Sequence, residues 1–183
     1  MPCVVNEEGT KCSGTCPTRT LTTSTAIGTG SGVRASGLAR YWLCPRGTED
    51  DPLPSDWFHQ DTWREENTRG YGTGIRGTPR IKPGDQIVWY ATKPWQVLYG
   101  LAEVTGPPEQ SQVPDRRGVL WRWYIPARTW FVVPNLEIAP TREDAGLPST
   151  GSVRPCKRLT PEQFEACCRE INEVGRPHDE PCK

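Results

Sequence analysis

Apolar positions in the middle of this chain come in short bursts, not in long helical stripes. Residues 38–44 (LARYWLC), 86–91 (QIVWYA), 96–104 (QVLYGLAEV) and 119–125 (VLWRWYI) are rich in aromatic and β-branched side chains. Turn residues or polar stretches separate them, which marks strands. Pro83-Gly84-Asp85 and Lys93-Pro94 are turns, so the second and third runs read as a β-hairpin. Residues 130–133 are a further candidate strand. The pattern predicts a short helix over residues 55–66, with Ser55 as its cap. Thr160 and Pro161 open a second helix, over residues 162–174, with Phe164, Cys167 and Ile171 on one face. The order strand, helix, several strands, helix implies an α+β fold: a small, strongly curved sheet or barrel with flanking helices.

The segments between these runs divide the chain. Residues 1–37 carry Cys3, Cys12 and Cys16 and then a Thr-, Ser- and Gly-rich stretch that reads as a flexible linker. Residues 38–175 are the expected domain, and residues 176–183 a polar tail. Within the domain, residues 69–83 (RGYGTGIRGTPRIKP) read as a Gly- and Arg-rich loop, and residues 106–118 as a polar loop.

Charge narrows the partners. The 22 basic and 22 acidic side chains cancel, so the chain is not a strongly basic nucleic-acid binder. Arg supplies 17 of the 22 cations, and Arg favours phosphate forks and stacking on rings. No apolar run approaches the ~20 residues of a membrane span, and residues 1–20 lack a signal core. A cytoplasmic protein without a membrane is expected, with its eight cysteines as reduced thiols or metal ligands.

Candidate chemistry rests on aromatic rings. All eight tryptophans lie between residues 42 and 130, several beside arginines. Flat rings beside guanidinium groups suit a planar ligand such as a base. Trp89 and Trp123 sit in alternating strands and are assigned to the core. Cys12-x3-Cys16 with Cys3, completed by Cys182 or His178, is a candidate metal set, though a single C-x3-C is weak for zinc. No cofactor motif is legible. GTGSG at residues 28–32 lacks the lysine and helix of a phosphate loop. The only histidines are His59 and His178, and no catalytic triad is legible, so a binding module is expected and not an enzyme. A thiol enzyme using Cys44 with His59 and a peptide-binding domain are the competing readings.

Four segments in order resemble one family. Tyr41–Leu43 (YWL), residues 82–90 (KPGDQIVWY), residues 100–104 (GLAEV) and residues 151–164 (GSVRPCKRLTPEQF) are similar to the motifs of EVE domains, which are PUA-like and related to YTH domains. The resemblance covers about residues 39–171. It implies a PUA-like barrel that reads a flipped modified base in an aromatic pocket: modified cytosine in DNA in the first place, N6-methyladenine-type RNA as the alternative. It also implies a nucleic-acid partner and a separate nuclease as a further one. It points to Tyr71, placed between glycines before the Pro83-Gly84-Asp85 turn, as a wall of the pocket, with Trp63 in reserve and Trp95 and Trp121 as candidates for the second wall. Arg46 and Ser152 are candidates for the base edge. Arg76, Arg80, Lys82 and Arg154 are candidates for the nucleic-acid backbone.

Overall fold

The computed structural model describes residues 39–111, 114–115, 117–149 and 156–178. The expected boundary at residue 37, the metal set of Cys3, Cys12, Cys16 and Cys182, and both Ser152 and Arg154 lie outside them.

The elements run β1 (Tyr41–Arg46), α1 (Asp61–Arg69), β2 (Gly70–Thr73), β3 (Gln86–Ala91), β4 (Val97–Val104), β5 (Glu109–Gln110), β6 (Trp123–Val132), β7 (Lys157–Leu159), α2 (Pro161–Val174) and β8 (Arg176–Pro177), with 3-10 turns at Trp57–His59 and Leu136–Ile138. The strands form one mixed sheet in the order β2-β6-β4-β3-β1-β7, with β5 and β8 also pairing with β6. Among the described strands, only β1 and β3 run parallel. The expected α+β class with a curled sheet holds, and so does the β3–β4 hairpin.

Burial explains the short apolar bursts. Trp89, Ile87, Val88, Leu98, Tyr99 and Leu101 of β3 and β4 are fully buried. Strands covered on both faces read as continuous apolar runs instead of alternating. The buried indoles of Trp42, Trp57 and Trp89 each satisfy their N–H, whereas Trp123, expected in the core, is only half-buried. Trp89 donates to Thr129 Oγ1 at 2.9 Å and Trp57 to the Val133 carbonyl at 3.1 Å.

Asp85 ties the start of β1 to the start of β3. Its carboxylate accepts from Arg40 Nη2 at 2.8 Å, Trp42 Nε1 at 2.8 Å and the Lys82 N–H at 2.9 Å. Burial alone would raise its pKa; these donors hold the carboxyl below its usual range. Gly84 takes the left-handed φ of +85° that this turn needs.

Strand β6 gives the sheet its curl. Its residues 127–132 pair with β4 and its residues 123–126 with β2. The register shifts where Leu101 and Ala102 of β4 face Phe131 and Thr129, which leaves Trp130 as the extra residue of a bulge on β6, the device that bends a strand. Pro126, which has no N–H to give, lies where β6 changes partner.

Four expectations need correction. The first helix begins at Asp61, not Ser55, because adjacent buried Trp57 and Phe58 form a 3-10 turn first and Gln60 is extended. Ser55 caps nothing; its carbonyl accepts from the Leu136 N–H. Residues 70–73 are a strand, not loop. The run at residues 119–125 becomes strand only from Trp123, and it continues through residues 130–132 as one element. Finally, Cys44 is bonded to Cys156. These two are neither thiols nor metal ligands, and the Cys44–His59 enzyme reading loses its nucleophile.

Candidate functional site

The glycines of β2 are there because rings lie against the strand. A Cβ on Gly72 would stand 2.5 Å from Trp121 Cδ1, and one on Gly70 would collide with the Tyr124 hydroxyl. Beside these rings a cavity of about 1030 Å³ opens, with residues of α1, β2, β5, β6 and the loop before β6 along its wall. That volume is at the top of the ~300–1,000 Å³ range of small-molecule sites.

Four rings line it. Trp63 comes from α1, Tyr71 from β2, Trp121 from the loop before β6 and Tyr124 from β6. Tyr124 donates to the Arg69 carbonyl at 2.8 Å. Deep among them lies Arg46, the last residue of β1, only 9 % exposed. Its guanidinium carbon stands 4.7 Å from the Trp89 ring centre and 5.3 Å from that of Tyr71. Both distances are within cation–π range. Arg46 Nη2 also reaches the Glu66 carbonyl at 3.5 Å.

Behind Arg46 lies the fully buried Tyr99, which donates to Asn67 Oδ1 at 3.3 Å. Asn67 Nδ2 in turn donates to the Trp63 carbonyl at 2.8 Å, so a core phenol fixes the helical turn that carries a wall ring. Burial pushes the Tyr99 phenol up; Arg46 opposes this and the Glu66 carboxylate adds to it. One cation, one carboxylate and one amide thus meet at the inner end of the cavity.

Asp115 organises the other wall. It accepts from the Val119 N–H at 2.9 Å, the Arg117 N–H at 2.9 Å and Trp121 Nε1 at 3.1 Å. Burial alone would raise its pKa, but these hydrogen bonds and the Arg117 guanidinium hold it below the usual range. Arg117 also reaches Asp51 at 3.3 Å, joining this loop to the segment after β1.

Among the described residues, the lining carries the carboxylates of Asp51, Glu65, Glu66, Glu109 and Asp115 and the cations Arg46, Arg69 and Arg117. This excess of carboxylates, with Glu65 paired to Arg69 and Asp51 and Asp115 to Arg117, disfavours phosphate. The cavity accepts a neutral ring with N–H donors, which the carboxylates and the stacking faces both favour.

Of the residues singled out in the sequence, Arg46, Trp63, Tyr71 and Trp121 meet in this cavity. Trp95 does not line it. It sits in the β3–β4 turn, where its Nε1 donates to the Leu53 carbonyl at 2.7 Å. Tyr71 is on a strand, half-buried, with its ring 6.3 Å from that of core Trp89, so it is not the loop ring the glycines suggested. Arg80 and Lys82 are exposed at the opposite end of β1 from Arg46, about 17 Å away by strand rise. Arg76 is exposed beside the lining residue Ile75. Sequence reasoning missed Tyr124, Glu66, Asn67 and Asp115. The Pro114-Asp115 pair in a polar loop was the one signal, since Asp at such a site bonds its own turn.

Among the described residues, no group of three or more His, Cys, Asp or Glu side chains is placed to hold a metal, and no helix is long and apolar enough to cross a membrane.

No family model matches the chain, and no curated protein matches it in sequence. Solved structures do match in fold. The YTH domain of Mmi1, in complex with RNA, aligns with a TM-score of 0.51 and 12 % identity over 78 % of this chain and 85 % of its own. A Rhodopseudomonas palustris protein, Rpa0253, aligns at 0.48 and 15 % identity over 79 % of this chain and 100 % of its own. Human THYN1, in complex with DNA containing 5-methylcytosine, aligns at 0.42 and 12 % identity over 79 % and 100 %. At these identities the likeness is one of fold, and the fold is PUA-like: a curled mixed sheet with two helices.

Proposed function

We propose that this chain is an EVE-type reader that binds a flipped, modified base of a nucleic acid, modified cytosine in DNA in the first place, in the ring-lined cavity. The observation that carries the reading is the cavity itself. Four rings surround a buried Arg46 and a carboxylate, and the interior disfavours phosphate. A base extruded from its stack loses stacking on both faces, and rings restore it at about 1–3 kcal/mol per stack. Arg46 donates to a ring nitrogen or carbonyl; Glu66 accepts from an exocyclic amine. Cytosine presents both groups on one edge. An added methyl buries further apolar area against the rings, about 0.8 kcal/mol for one carbon. The fold shared with an RNA-bound YTH domain supports a nucleic-acid ligand at the level of the fold. In this reading the chain binds and does not catalyse.

The test is a titration panel followed by tryptophan emission. Oligonucleotides carry 5-methylcytosine, N6-methyladenine or no modification, in DNA and in RNA. A modified cytosine strand is expected to bind tighter than its plain counterpart. Equal affinity across the panel would rule out base reading, and preference for N6-methyladenine RNA would move the assignment to that ligand.

A further inference from the structure

The loop that carries Trp121 also carries an apolar tip that neither the core nor the cavity uses. Val119 is 40 % and Leu120 61 % exposed, large values for such side chains. The tip is held, not loose. Asp115 binds the Val119 and Arg117 N–H groups, the Asp115 N–H donates to the Val119 carbonyl at 2.9 Å, and Gly118 turns the chain at φ +78°. The next residue, Trp121, lines the cavity. One pinned loop thus sets a ring in the cavity wall and leaves an aliphatic tip one residue before it.

Two exposed cations lie close by. Arg122 is exposed and its Nη1 donates to the Arg76 carbonyl at 3.0 Å, which brings exposed Arg76 to the same rim. An aliphatic tip beside guanidinium groups suits a duplex, whose phosphates the cations meet and whose base stack the tip meets. Extruding a base from a duplex leaves a gap, and an apolar side chain entering that gap replaces part of the lost stacking. A single strand has no such gap.

Resting on the base-reading assignment above, we infer that Leu120, supported by Val119, is a wedge that fills the gap left by the extruded base, and that the ligand is therefore a base-paired duplex.

The experiment compares wild type, Leu120→Ala and Trp121→Ala on one modified base placed in a duplex and in the matching single strand. Leu120 touches solvent over most of its surface, so Leu120→Ala is expected to melt like wild type. It is expected to weaken duplex binding about tenfold, the order of one lost apolar contact, and to leave single-strand binding unchanged. Trp121→Ala is expected to weaken both. A 2-aminopurine opposite the modified base gives the second readout. Its emission is expected to rise on binding to wild type and to rise less with Leu120→Ala. Equal effects of Leu120→Ala on duplex and single strand, no effect on either, or binding by wild type to single strands alone would each overturn the wedge while leaving the reader intact. Binding to neither form would overturn both.

Discussion

Asp115 and Gly72 hold Trp121 from two sides, and each can be changed alone. Gly72→Ala puts a methyl where the Trp121 ring lies. The ring must move, so a shifted Trp emission and weaker oligonucleotide binding are expected; unchanged emission would show that the ring tolerates the strand differently. Asp115 acts through its charge. Its pKa is depressed in the folded protein, so its contribution is complete at neutral pH and is lost as pH falls through that lowered value. Trp121 emission is therefore expected to stay flat from pH 7 to about pH 5 and to change only below about pH 4. Asp115→Asn should lack that acid step. Tyr71 is less clean as a probe. Its ring packs near Trp89 and Arg46, so Tyr71→Ala is expected to lose stability as well as affinity. The glycines around it suggested a loop ring because composition does not distinguish a glycine that turns the chain from one that makes room for a ring.

At the scale of elements, α2 was legible because its signals are local. Thr160 Oγ1 accepts from the Gln163 N–H at 3.3 Å, Gln163 Oε1 accepts from the Thr160 N–H at 3.0 Å, and Pro161 opens the helix. Thr160→Ala is expected to cost about 1 kcal/mol, read as a lower melting temperature. Strand β3 was legible to the residue for the same reason: a turn at Pro83-Gly84-Asp85 and then an unbroken apolar run. Strand β2 was not. It is short, half glycine, and held by pairing with β6, far along the chain. The start of β6 was misread because Val119 and Leu120 continue an apolar run that, in space, leaves the sheet. The cavity followed the same division. Arg46, Trp63, Tyr71 and Trp121 stand out by residue type, whereas Glu66 and Asn67 belong to the site only because α1 packs beside β6.

For the whole molecule, a covalent tie among the described residues joins parts distant in sequence. Cys44 in β1 and Cys156, just before β7, are 112 residues apart. Closing so long a loop restricts the unfolded chain, and Cys156→Ser is expected to lower unfolding free energy by roughly 2–5 kcal/mol in a denaturant titration. Under the proposed function, a neutral net charge requires phosphate attraction to come from a local rim and not from a global field. With Arg76 and Arg122 as the phosphate contacts, the log–log salt slope of binding is expected near −2, about −0.9 for each phosphate neutralised. A slope of zero would point to a nucleoside or peptide ligand. The central claim is that the base enters the ring-lined cavity, and two partly exposed tryptophans separate that claim from general ring contact. Trp121 lines the cavity; Trp95 lies outside it. With the best-bound modified oligonucleotide, Trp121→Ala is expected to lose about 1–3 kcal/mol of affinity, the value of one stack, while Trp95→Ala retains wild-type affinity. Equal losses for the two variants, or a loss for Trp95→Ala alone, would contradict the account.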